Sequence, residues 1–261
     1  MPLAVRFALA TSILALLAAT AHAEPFDEAL YGRLLQRYTR EVPDTARVRV
    51  DYRKLARSDD WKRLVANLAR TEPEKLRTSE EKLAFWINAY NALAIQLVVA
   101  NQPVDGIRDI GSLLRPVWKR QAGVVGGRPV SLRWIEHEVL RPMGEPRIHA
   151  AIVCASVSCP TLRREPWRAA ILDAQLGDAL RSWLVDREKG LRIDSRTRTL
   201  HLSRVFDWFA DDFGGRDNVL AYLEPYMGAE DRAWLKENPH PRIRHLDYDW
   251  RLNGLARIIH E

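Results

Sequence analysis

From Leu83 to Ala100 the chain runs for 18 residues without a charged side chain, and this stretch constrains the fold most. Its length reaches the minimum for a membrane span. Three amides interrupt it, Asn88, Asn91 and Gln96, and each carries donors and acceptors that hydrocarbon leaves unsatisfied. The stretch therefore reads as a buried central helix, opened by the capping-box sequence Thr78-Ser79-Glu80-Glu81 and ended before Pro103. Asn88 and Asn91, spaced i, i+3, share one face. An unpaired buried amide costs about 1 to 3 kcal/mol, so both need partners. They either fix the backbone of a neighbouring loop or line a polar pocket.

Around this helix the periodicity is mixed. Phe26, Leu30, Leu34, Leu35 and Tyr38 recur at helical spacing, as do Trp61, Leu64, Val65 and Leu68. Val48 to Tyr52 alternates like a short strand, and Val124 to Val130 reads as a hairpin turning at Gly126-Gly127. Ser131 caps a short helix, Leu132 to Arg141. Ile148 to Cys154 is short and apolar, the pattern of a buried strand. Helices Trp167 to Asp186 and Asp217 to Tyr226 flank a strand pair, Gly190 to Asp194 and Thr199 to Ser203. No internal repeat or Ser/Gly-rich linker divides residues 24–261. The expected fold is α+β, a helix-rich single domain with a small sheet around a central buried helix.

Residues 1–23 are read as a leader. They carry one positive charge at Arg6, an apolar run from Phe7 to Ala19, and the small-x-small sequence Ala21-His22-Ala23. This predicts a secretory signal peptide and a periplasmic or secreted protein, with no membrane span left after cleavage. Formal net charge is +6 for the whole chain, and its basic residues alternate with acidic ones, as on a solvated surface. No aromatic-plus-basic module accompanies them, so nucleic acid is not an expected partner.

The segment Cys154-Ala155-Ser156-Val157-Ser158-Cys159-Pro160 places small hydroxyl residues between the chain's 2 cysteines, at the end of the expected strand. Ser156 and Ser158 are candidate binding groups there, because loops on a rigid scaffold commonly carry function. In an oxidising compartment the cysteines can close a disulfide. Alternatively, Cys154 is a nucleophile activated by a histidine. His149, an odd five residues earlier on an extended strand, would face the other way. His137 is then the candidate base. Zinc would need two further ligands, and no characteristic His pair supplies them. No metal and no cofactor are expected.

Several segments together resemble the domain-of-unknown-function 547 family: Phe85 to Leu93, Ile135-Glu136-His137, Arg147 to Pro160, Leu202 to Phe209 with Asp212-Phe213, and Tyr248 to Asn253. The likeness spans about residues 26–253. It marks Asn88, Tyr90, Asn91, Glu136, His137, His149, Cys154 and Cys159 as matching the family pattern, and implies a single domain without implying an activity. Two functions stay open. One is a thiol-dependent hydrolase or acyltransferase acting on envelope material, with Cys154 as nucleophile, His137 as base, and Glu136 or Asn88 orienting or stabilising. The other is a non-catalytic envelope protein with a Cys154–Cys159 disulfide, its polar pocket binding a peptide, glycan or small molecule through Asn91, Tyr90, His149, Ser156 and Ser158. The oligomeric state is not legible in the sequence.

Overall fold

The computed structural model describes residues 25–112 and 114–255, with the uncharged stretch at its centre. The expected leader lies outside the described residues. Ahead of the central helix come α1 (Glu28–Tyr38), an antiparallel pair β1 (Thr39–Glu41) and β2 (Val48–Val50), α2 (Tyr52–Ala56) and α3 (Asp59–Arg70). The central helix is α4, Ser79–Asn101, and it opens on a complete capping box between Thr78 and Glu81. By length and composition α4 could cross a membrane, but 83% of its most apolar window is buried inside the fold. It packs against α2, α3, the hairpin β3 (Gln121–Val125) and β4 (Arg128–Ser131), and the helical segment that follows. Gly126 and Gly127 adopt φ of 54° and 75°, the left-handed pair that a tight two-residue hairpin turn requires.

The helix after the hairpin is not regular. It begins as a single α-turn, α5 (Leu132–Trp134), capped by Ser131, and continues as a π-helix over Ile135–Leu140. Its i→i+5 bonding widens the turn, so successive side chains diverge by less than the roughly 100° of an α-helix. The later half contains α6 (Leu172–Val185), a three-stranded sheet of β5 (Leu191–Asp194), β6 (Thr199–Leu202) and β7 (Arg242–His245), and the short helices α7 (Val205–Trp208), α8 (Val219–Leu223) and α9 (Ala229–Glu237). In that sheet β6 pairs antiparallel with β5 and parallel with β7. The main core surrounds α4. A second apolar cluster lies between α6, the sheet and α8, and Ala179 and Tyr248 pack against both. The helix-rich α+β expectation is what the chain adopts.

Three local expectations are corrected. Residues 148–154 are not a strand. Pro146–Ala150 forms a 3-10 turn, and the run continues without regular structure. A short apolar run is buried in either conformation, so its pattern could not choose between them. The backbone partner that a strand would have supplied is instead Asn91, whose Nδ2 donates to Ala151 O at 2.9 Å and whose Oδ1 accepts from Val153 N at 2.7 Å. The helix expected from Trp167 starts only at Leu172. Trp167 gives both its N–H and its C=O to Asn88, at 2.9 and 2.8 Å, which removes it from a helical ladder. The strand at Val48 stops at Val50 because the Asp51 carboxylate accepts from Lys54 N and caps α2.

Candidate functional site

The turn at 146–150, the π-helix, α7 and the C-terminal segment enclose one cavity of about 250 Å³. The cysteine loop lies at its edge and is held from two sides. Asn91 fixes its beginning. The segment Asp249–Asn253 fixes the rest, with Val157 N donating to Arg251 O, Ser158 N to Asp249 O and Asn253 N to Ala155 O. Ala155 is forced to φ 64°, a left-handed conformation that costs a non-glycine residue about 1 to 2 kcal/mol. Such strain persists only where the surroundings over-determine it.

Cys154 and Cys159 are joined by a disulfide, with Cα atoms 6.3 Å apart. Both cysteines line the cavity. Cys159 is 3% exposed, whereas Cys154 is the one residue of 151–160 that is only partly buried. The Tyr248 hydroxyl lies 3.2 Å from Cys159 Sγ and 3.5 Å from Cys154 Sγ. Burial keeps this phenol protonated well beyond the ordinary range. With Trp118, Trp208 and Trp250, Tyr248 forms an aromatic wall. The Trp208 and Trp250 rings are 5.6 Å apart and 20° from parallel, and Tyr248 is 4.4 Å from Trp250. Trp208 is 43% exposed, unusual for so large a ring and consistent with a surface that receives something.

The two lining histidines, His137 and His149, are joined through Arg141 and Asp212. Arg141 clamps Asp212 with two hydrogen bonds of 2.7 Å and donates a third to His137 Nδ1 at 2.8 Å. A guanidinium has no acceptor, so His137 Nδ1 accepts and its ring is neutral with the proton on Nε2. Burial, Arg133 and Arg141 all lower the His137 pKa. His149 Nε2 lies 2.7 Å from Asp212 Oδ2, and its ring stacks on Phe209 with centroids 4.2 Å apart. Burial lowers the His149 pKa against the opposing pull of Asp212, so the neutral ring donates Nε2–H to that carboxylate. Burial alone would raise Asp212, but the bonds from His149 and Arg141 hold its carboxyl well below the usual range. Glu136 is the contrasting case. Burial raises its pKa to about 7, with Arg141 and the Tyr90 hydroxyl, 3.4 Å away, opposing. Burial thus pushes the cavity-lining Glu136 carboxyl up, while its hydrogen bonds hold Asp212, behind the two histidines, down.

The fold brings together Tyr90, Glu136, His137, His149, Cys154 and Cys159 on the cavity lining. The widened π-turn explains how neighbours Glu136 and His137 both reach it. The expectation that His149 faces away from Cys154 fails, because it assumed extended backbone; a 3-10 turn rises only about 2 Å per residue and does not alternate faces. Asn88 and Asn91 are fully committed to loop backbone, as described above, and neither lines the cavity. Ser156 is buried with its Oγ 3.3 Å from Cys154 Sγ. Ser158 Oγ accepts from Asp249 N at 2.9 Å, a structural contact. The nucleophilic role for Cys154 meets two obstacles. Its sulfur is bonded to Cys159, and its other polar neighbours are Ser156 and Tyr248, whereas His137 is engaged with Arg141. Sequence reasoning left Arg141, Trp208, Asp212, Tyr248 and Trp250 out of the site. All but Arg141 stand in segments that carried the family resemblance, but no spacing joins residues some hundred positions apart. Among the described residues no three His, Cys, Asp or Glu side chains gather as a metal site.

A family model described as protein of unknown function, DUF547, matches residues 73–184. Over that segment the chain is similar to this family. The matched DUF547 segment holds α4, the π-helix and the cysteine loop, while Trp208, Asp212, Tyr248 and Trp250 come from beyond it. No curated protein and no solved structure matches the chain.

Proposed function

We propose that this protein is exported and binds a small ring-bearing ligand, a single sugar unit of an envelope glycan, in the cavity between the aromatic wall and Glu136. The observation that carries the reading is the near-parallel Trp208–Trp250 pair, partly open to solvent, in a cavity that also carries Arg133, Glu136 and His137. A flat apolar surface accepts one face of a sugar ring, and a small number of placed polar groups then fix its orientation. A cavity of about 250 Å³ suits one ring rather than an extended chain. Glu136, protonated below about 7, offers a donor, and His137 Nε2–H a second. The leader sequence and the disulfide support an oxidising compartment. The binding reading is preferred over a thiol hydrolase or acyltransferase because the cysteine sulfurs are bonded to each other.

Because three tryptophans line the cavity, intrinsic fluorescence is the assay. Titration with N-acetylglucosamine and its short oligomers should give a saturable change that Trp208→Ala abolishes without loss of fold by circular dichroism. A linear, unsaturable response to every sugar in both proteins would refute it.

A further inference from the structure

Ring binding makes no use of the disulfide, and the contacts around its two sulfurs are unequal. We propose that Cys154–Cys159 is exchange-active, accepting a thiolate from a low-molecular-weight thiol or a cysteinyl peptide that enters the cavity. Cys154 is the partly exposed residue of the pair, Cys159 is buried, and Cys154 lines the cavity, which makes Cys154 the cysteine an incoming thiolate would meet. Exchange requires the attacking sulfur to reach one cysteine while the other leaves. Cys159 Sγ already has two donors aimed at it, the Cys154 backbone N–H at 3.1 Å and the protonated Tyr248 hydroxyl at 3.2 Å. Both would stabilise negative charge on that sulfur as the bond breaks, and a better-stabilised leaving thiolate departs faster. A bond serving only as a staple needs neither.

The step balances without a further reagent. The incoming thiolate forms a bond to Cys154 Sγ, the Cys154–Cys159 bond breaks, and its electron pair leaves as the Cys159 thiolate. If the entering molecule carries a second thiol, its thiolate attacks the mixed disulfide and releases Cys154, whose sulfur then has Ser156 Oγ at 3.3 Å as a donor. The substrate dithiol loses two electrons to become a disulfide, the protein disulfide gains them, and two protons end on Cys154 and Cys159. This is a single turnover. It stands on the sulfur contacts and is independent of the sugar-binding reading.

The test uses the purified, oxidised protein with increasing glutathione, acid quenching and peptide mass mapping, beside a separate measurement of its unfolding rate. Exchange in the folded state predicts a rate that rises in proportion to glutathione, past the unfolding rate, with glutathione on Cys154. Tyr248→Phe should slow this by about tenfold and raise the apparent pKa of Cys159 in the reduced protein, a shift that a merely structural role of the hydroxyl would not cause. A rate that levels off at the unfolding rate, or an adduct on Cys159, overturns the proposal. These wild-type arms decide the matter even if the variant fails to fold. A peptide bearing two cysteines distinguishes the sources: faster oxidation than glutathione at equal thiol concentration assigns a peptide substrate, and an equal or slower rate assigns a small thiol.

Discussion

Replacing Glu136 by glutamine should change stability in a pH-dependent way whose sign is fixed. The folded-state pKa is raised from 4.5 to about 7 by burial. The folded protein therefore holds a proton that the unfolded chain releases near its ordinary value. Stabilisation by the neutral carboxyl is fully present below about 4.5 and is lost as pH rises through 7. At about 1.4 kcal/mol per pH unit, ionising Glu136 in place costs the fold up to about 3 kcal/mol. Glutamine keeps the shape and an acceptor for Tyr90 but cannot ionise. Urea denaturation with the disulfide intact, followed by fluorescence at pH 5, 6, 7 and 8, gives the difference directly. Glu136→Gln should be near wild type at pH 5 and more stable by about 2 to 3 kcal/mol at pH 8. A difference that is the same at pH 5 and pH 8 would refute the claim that burial sets this proton.

Asp212 has the opposite sign: its carboxyl is held low, so its contribution is present above the unfolded pKa and is lost as pH falls through the folded one. Asp212→Asn should destabilise most at pH 7 and progressively less towards pH 2, read from the same melts. Asn88→Leu leaves the Trp167 N–H and C=O without partners and should cost about 2 to 4 kcal/mol, seen as a lower urea midpoint at unchanged slope; no shift contradicts the backbone clamp. Exported protein should begin at Glu24, and an intact mass that retains residues 1–23 contradicts the leader reading.

What was legible in the sequence was whatever a local pattern can carry. The uncharged stretch with its capping box located α4 within a residue, and the Gly-Gly pair located the hairpin turn, because both signals are written in adjacent positions. Asn88 and Asn91 announced that a buried helix must satisfy amides, and of the two roles open to them the clamp on loop backbone is the one adopted. The same clamps account for the failures. Once Asn91 satisfies Ala151 and Val153, and Asn88 satisfies Trp167, those segments need neither strand nor helix, and that decision is made by residues 60 to 79 positions away. The π-turn at 135–140 has no composition of its own. The site was half legible for the same reason: Glu136, His137, His149 and the cysteines stand in dense motifs, whereas Asp212 and Tyr248 acquire meaning only when the chain returns.

That return has a consequence for how the protein comes into being. The hydroxyl beside the sulfurs, one side of the aromatic wall and the backbone bonds that brace the cysteine loop all arrive with Tyr248–Asn253. A nascent chain emerging in order exposes its cysteines long before these bracing residues have been synthesised. The cavity is therefore a checkpoint on completeness. A polypeptide cut short before Tyr248 would retain α4 and the greater part of its core, yet lack the hydroxyl beside the sulfurs and the backbone bonds that brace the cysteine loop.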